Sequence, residues 1–271
     1  MNITPEKSIQ LKRSSKFSQL SSMSICRRFQ TNLHETSEIF PSINKLFLKE
    51  MRIQDNLNGL VNFKKLQFLE IRGLNHDDLD LVDVLSKLAG LEHQFKGLKF
   101  IWFNIRNIEF LRKIQKFINL QKFELMHCYD DEIDNFLPNN FENIVFPQKV
   151  EVLRLGNFEF TPFVINAFKP TNLILEMDNI SFQHKTFQFT SLEGLKEIRH
   201  LNLWVNSQTK CKSEIRKIKN MIKHFTKSKN LKSIDFTFTN HYSSLKKNAS
   251  NLLSKMDFPP NIKVKVDISY L

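Results

Sequence analysis

The residues best equipped for chemistry in this chain are few and scattered. An acidic run, Asp130-Asp131-Glu132-x-Asp134, has the carboxylates to hold a divalent cation. A calcium loop spaces its ligands at alternate positions and turns sharply at a glycine. This run has neither feature, so acids opening a helix, where the macrodipole favours negative charge, are the simpler reading. His127-Cys128 offers a base beside a thiol, or two metal ligands. The other seven histidines show no His-Glu-x-x-His or paired spacing, and the six glycines form neither a phosphate loop nor a Gly-x-Ser-x-Gly elbow. Cys26, Cys128 and Cys211 lie far apart with no Cys-x-x-Cys pair, which argues against a disulfide framework and a structural zinc site and for a reducing compartment. The expectation is a non-enzyme without catalytic residues, metal or cofactor.

The net charge of +12 invites a polyanion partner. Its densest part is Lys210, Lys212, Arg216, Lys217, Lys219, Lys223, Lys227, Lys229 and Lys232, opposed by Glu214 alone. A nucleic acid or an anionic lipid surface could use such a cluster. The interleaved aromatics that stack single strands are missing, since Phe225 falls on the apolar stripe of the same helical pattern. A solvated helix face explains the cluster more simply. Lysine excess also accompanies Asn, Phe and Ile in A/T-rich coding sequence, and the chain has only three alanines.

The elements that would position any site are announced by a recurring phrase, Phe-x-x-Leu-x-x-Leu-x-Leu with apolar substitutions. Its copies are Phe40-x-x-Ile43-x-x-Leu46-x-Leu48, Phe63-x-x-Leu66-x-x-Leu69-x-Ile71, Phe95-x-x-Leu98-x-x-Ile101-x-Phe103 and Phe117-x-x-Leu120-x-x-Phe123-x-Leu125. Shorter copies start at Val150, Asn172, Ile198, Leu231 and Asn261. Alternating apolar residues predict a short strand with one buried face in each copy. The segments between copies vary in length, and two have helical periodicity. In Asp77–Leu88 the apolar face is Leu81, Val82, Val84, Leu85 and Leu88, with Asp77 and Asp78 at the N-terminus. In Ser213–Thr226 it is Ile215, Ile218, Ile222 and Phe225. Prolines 138, 147, 162, 170, 259 and 260 fall between the predicted strands.

This pattern resembles the leucine-rich repeat family, whose segments read L-x-x-L-x-L-x-x-N/C-x-L. The copy from Leu120 to Cys128 is similar to the cysteine-containing subtype. The resemblance spans about residues 40–270 and implies an α/β solenoid, a horseshoe of about nine irregular repeats. The parallel sheet would line the concave face, with helices and irregular segments on the convex face. Only Asn206 and Cys128 hold the family's N/C position, so no continuous asparagine ladder can form and the turns must satisfy their backbone groups by other means. By resemblance such a protein works by presenting its concave sheet to a partner.

On that register one concave row reads Phe47, Glu70, Trp102, Glu124, Arg154, Glu176, Asn202, Asp235 and Lys265, a second holds Met126 and Trp204, and a third holds Phe100. Charges of both signs mix across the face. Trp and Arg dominate interface hot spots, so the expected protein-binding residues are Phe100, Trp102, Met126, Arg154 and Trp204. The expected basic patch is Lys212, Arg216, Lys217, Lys219, Lys223 and Lys227.

Residues 1–36 form a separate basic, Ser-rich segment ahead of a repeat domain at 37–271. Three readings stand. Ile25, Phe29 and Leu33 could make a capping helix over the first repeat. The Ser-rich, nearly acid-free composition suits a mitochondrial transit peptide. Ile25-Cys26-Arg27-Arg28-Phe29 is similar to the end of an F-box, which would imply a substrate adaptor of a ubiquitin ligase. No apolar run approaches the ~18 residues of a membrane span and no secretory core opens the chain. The expectation is an intracellular, cytoplasmic scaffold that binds another protein. The alternatives are the ubiquitin-ligase adaptor and an RNA- or membrane-associated subunit of a mitochondrial assembly.

Overall fold

A computed structural model describes residues 19–26, 33–51, 57–74, 79–105, 109–128, 150–156, 161–177, 196–206, 222–223, 225–240 and 258–270. The chain divides into two compact units, Met1–Gln148 and Lys149–Leu271.

In the first unit five strands follow one another in sequence order: β1 (Ser22–Cys26), β2 (Lys45–Met51), β3 (Phe68–Gly73), β4 (Gly97–Ile101) and β5 (Lys122–Met126). Every pairing is parallel. Parallel neighbours need a crossover. It is supplied by α1 (Leu33–Ile39), a 3-10 turn at Asn58–Asn62, α2 (Leu81–Lys87) and α3 (Glu109–Ile114). Strand residues alternate between a sealed face (Leu46, Leu48, Leu69, Ile71, Leu98, Phe100, Phe123, Leu125) and an open one. The sealed face shares its core with Leu81, Val84, Leu85, Phe110, Leu111 and Ile114 of the helices. Helix α2 starts at Asp80, whose carboxylate accepts from Val82 N at 2.6 Å and caps an otherwise orphaned donor. The capping acid is thus Asp80; Asp77 and Asp78 lie outside the described residues.

The second unit repeats the plan with β6 (Val152–Leu155), α4 (Thr161–Phe168), β7 (Asn172–Met177), β8 (His200–Asn206), β9 (Ser233–Asn240) and β10 (Lys263–Tyr270). Again each strand pairs in parallel with the next in sequence. Of the predicted helix at 213–226, Ile222, Lys223, Phe225 and Thr226 are described. The first three are helical, with Ile222 and Phe225 buried and Lys223 exposed, and Thr226 already lies in the following turn. Both units are therefore parallel α/β repeat arrangements of the kind the phrase predicts.

One join recurs between described repeats: two successive N–H groups at a strand entrance converge on one carbonyl of the preceding repeat, although β7 and β10 use a single donor each (Asn172 N to Glu151 O and Lys263 N to Lys232 O, both 2.9 Å). Gln67 and Phe68 donate to Asn44 O (2.9 Å each), Lys96 and Gly97 to Gln67 O (2.8 and 3.0 Å), and Lys232 and Ser233 to Arg199 O (2.7 and 3.2 Å). Side-chain amides staple the same turns: Gln94 Nε2 donates to Phe63 O (2.8 Å), Asn119 Nδ2 to His93 O (2.6 Å) and Asn230 Nδ2 to Lys196 O (2.6 Å). These staples do at the strand entrances what the absent asparagine ladder cannot do at the strand exits.

Two repeats stand in a different register from the one expected. Leu98 pairs with Leu69 and Phe123, and Phe100 with Ile71 and Leu125, so the third copy reads Phe95-x-x-Leu98-x-Phe100, three residues earlier. The run Leu98, Phe100, Ile101, Trp102, Phe103 satisfies a period of two in either register, and the preceding turn (Gln94 N to Leu91 O) displaces the Phe that should open the phrase. In the other case Leu153 pairs with Leu173, so the copy reads Pro170-x-x-Leu173-x-Leu175 and buried Pro170 takes the place of the leading apolar residue. The sheet also starts earlier than expected. Met23 pairs with Leu46 and is buried, and Ile25 pairs with Leu48. Ile25 and Cys26 are thus in a strand. They cannot open a capping helix; of the stretch compared with the end of an F-box, Arg27, Arg28 and Phe29 lie outside the described residues, as do residues 1–18.

Candidate protein-binding faces

The open face of the first unit is written by the corrected register. Across β2 to β5 its rows read Lys45, Phe68, Gly97, Lys122; then Phe47, Glu70, Lys99, Glu124; a third reads Arg72, Ile101, Met126 across β3 to β5, with Lys49 of β2 at its end where the β2–β3 register shifts between Leu48 and Met51. Lys99 therefore takes the place expected for Trp102, Gly97 that of Phe100, and Ile101 that of Asn104. Glu70 binds Lys99 at 3.1 Å, and Glu124 binds Lys122 at 2.6 Å. Glu124 is buried, at 4% exposure, so this pair is shielded better than an ordinary surface pair. Phe68 lays its ring on Gly97, where a side chain would collide with it, and Lys45 Nζ sits 5.4 Å from the centre of that ring.

At the strand exits the backbone turns left-handed: Glu50 has φ 59°, Trp102 φ 64° and His127 φ 50°. Such values are uncommon outside glycine, and a bulky side chain there carries strain. Trp102 is held by its N–H on Met126 O (3.1 Å), and its own carbonyl fills the space that a Cβ on Gly73 would need. The ring of Trp102 stacks on His127 with centroids 4.7 Å apart and planes 17° apart. Trp102 is half-buried and Met126 is half-buried beside it. Sequence reasoning missed His127 as the partner of Trp102, because nothing in residue type announces a left-handed turn.

In the second unit the open face carries Arg154 on β6, Ile174 on β7, Asn202 and Trp204 on β8, and Asp235 on β9. The Arg154 guanidinium lies 4.5 Å from the centre of the Trp204 ring, a cation–π contact spanning the strand between them. Trp204 Nε1 and Asn202 Oδ1 are both buried and find no hydrogen-bond partner among the described residues. Unpaired buried polar groups are costly.

The expected binding residues thus form two groups, one described in each unit. Arg154 and Trp204 meet; Trp102 and Met126 lie together at the strand exits of the first unit. Phe100 is corrected: it is fully buried, 5.4 Å from Phe103 and 6.3 Å from Phe123 in edge-on contacts, and cannot touch a partner. Of the basic patch, Lys223 and Lys227 are exposed, while Lys212, Arg216, Lys217 and Lys219 lie outside the described residues, as does the acidic run at 130–134.

The His127-Cys128 pair is not a thiol beside a base. Cys128 is buried, with Sγ 3.5 Å from Met126 O and 3.9 Å from Phe100 O. Burial pushes its pKa up to about 12, outweighing the backbone groups of Phe103 and Met126 that act the other way. A thiol so protonated is a packing residue. A cleft of about 390 Å³ beside the strand entrances is lined by Lys64, Lys65 and His93 but no carboxylate, and Lys64 Nζ is engaged by Val61 O at 3.0 Å. Among the described residues no group of three or more His, Cys, Asp or Glu could hold a metal, and no helix is long and apolar enough to cross a membrane. No known family model matches the sequence, and no curated protein does.

Proposed function

We propose that this chain is a non-catalytic scaffold of leucine-rich repeat type that holds a protein partner on the open faces of its parallel strands. The observation that carries the reading is the Arg154–Trp204 pair. An indole remains half-buried on the open face of the described strands, clasped by a guanidinium, and its own Nε1 and the neighbouring Asn202 Oδ1 lack partners among the described residues. Trp and Arg are the residue types in which interface energy concentrates, and Met and aromatic residues of the first unit's open face extend the same composition. Fold alone does not fix function; these side chains carry the reading.

The test is affinity purification of the tagged chain from its native cells against the Arg154→Ala, Trp204→Ala and Trp102→Ala variants. The reading requires that at least one partner be lost from the first two variants while their melting temperatures stay near the parent's. Retention of every partner by all three overturns it.

A further inference from the structure

We infer that the open face of the first unit receives an extended acidic segment of a partner protein with an apolar residue between its carboxylates. This deepens the reading above and rests on it. The carboxylates of this face are already matched, Glu70 by Lys99 and Glu124 by Lys122. Its remaining cations are not: Lys45, Lys49 and Arg72 are exposed and have no ion pair among the described residues. They surround two half-buried aromatics, Phe47 and Phe68. Lys45, Phe47 and Lys49 are alternate residues of β2, so all three project on one side. The two lysine positions are therefore about 13 Å apart along the strand, with Phe47 midway. Arg72, next to Ile71 that pairs with Leu48, strengthens the positive field at the Lys49 end.

A segment lying extended over β2 and β3 also shows every second side chain to the sheet. Carboxylates four residues apart would face Lys45 and Lys49, and the residue between them would face Phe47. The recognised pattern is acid-x-apolar-x-acid. A nucleic acid suits this face less well, because its phosphate track would have to pass Glu70 and Glu124 on β3 and β5.

The probe is an immobilised random copolymer of glutamate and tyrosine, compared with polyglutamate, a lysine–tyrosine copolymer and oligouridine, all against the full chain at low and physiological salt. The glutamate–tyrosine copolymer is expected to bind tightest. The Lys49→Glu/Arg72→Glu double variant, both positions being exposed, should weaken it about tenfold or more, since like charge replaces complementary charge. Phe47→Ser should weaken it while leaving polyglutamate retention unchanged. No retention of the copolymer, equal retention of polyglutamate, tighter binding of oligouridine, or indifference to the double variant each overturns the inference. Arg154→Ala/Trp204→Ala separates the two proposals. If cellular partners depend on that pair but not on Lys49 and Arg72, the acidic-segment inference fails and the scaffold reading stands. If they depend on neither, the scaffold reading fails.

Discussion

Phe236 on β9 and Val266 on β10 are direct neighbours in register, yet Phe236 is fully buried and Val266 is 39% exposed. The position two residues earlier repeats the contrast, with Ile234 sealed and Val264 half-exposed. The same alternation written into two strands thus produces a core in one and a surface in the other. The sealed strand has a neighbour on each side, β8 and β10, and Phe258 meets the Phe236 ring edge-on at 6.1 Å. Burial in a stacked-repeat fold comes from the next repeat as much as from the residue itself. The largest effect should therefore come from breaking the sealed side: Phe236→Ala opens a cavity and should cost about 3–5 kcal/mol, read as a fall in the urea midpoint. A loss no larger than that of a surface substitution would mean that the interior strands are not sealed as described.

Close approach between interior strands sharpens the contrast. A Cβ on Gly73 would lie 2.7 Å from Trp102 O and 2.9 Å from Leu79 Cδ1. A backbone carbonyl cannot step aside as a side chain does, so Gly73→Ala should destabilise by about 1–3 kcal/mol. It should also disturb the Trp102–His127 stack, seen as a change in tryptophan fluorescence. The cysteines make the comparison chemical. Cys128 is sealed between repeats, and its thiol pKa is raised from 9.0 to about 12 by burial. The folded state holds this proton longer than the unfolded chain, so the stabilisation from Cys128 is full below pH 9 and is lost as pH rises from 9 toward 12. The slope should be about 1.4 kcal/mol per pH unit. Comparing the parent with Cys128→Ala, the gap in stability should narrow through that range. A gap independent of pH would show that water reaches the thiol.

How much of this was legible follows from what residue types can encode. The alternation and its spacing placed the strands from β2 onward, because Leu46/Leu48, Leu69/Ile71 and Phe123/Leu125 allow only one register. Two apolar runs do not: Leu98–Phe103 admits two phases and Leu173–Met177 two registers within one phase, and in both the structure takes the earlier one. The error moved Phe100 from core to surface and Trp102 into a row it does not occupy. Strand β1 went unread because Ser22, Ser24 and Cys26 alternate with only Met23 and Ile25, which is too little hydrophobicity to stand out. Of the candidate site, Arg154, Trp204 and Met126 were legible from periodicity. The cations Lys45, Lys49 and Arg72, which have no ion pair among the described residues, were not, because their significance depends on which neighbouring carboxylates are already taken.

The smaller effects test whether the edge and the turns obey the same rule. Asn119 is exposed, and its bond to His93 O can be replaced by water, so Asn119→Leu should cost only about 0.5–1.5 kcal/mol despite its 2.6 Å length. Val266→Ala should cost less still. The side chain already meets solvent, so truncation removes little buried surface and leaves no closed cavity; about 0.5 kcal/mol or less is expected. A double-mutant cycle with Phe236→Ala gives the sharper reading. Neighbours in register couple when they share a packed interface. If Val266 helps to seal Phe236, the two losses will fall short of additive. If Phe258 and β8 do the sealing, they will add, and the exposed flank of β10 will be a surface that other chemistry can use without cost to the core.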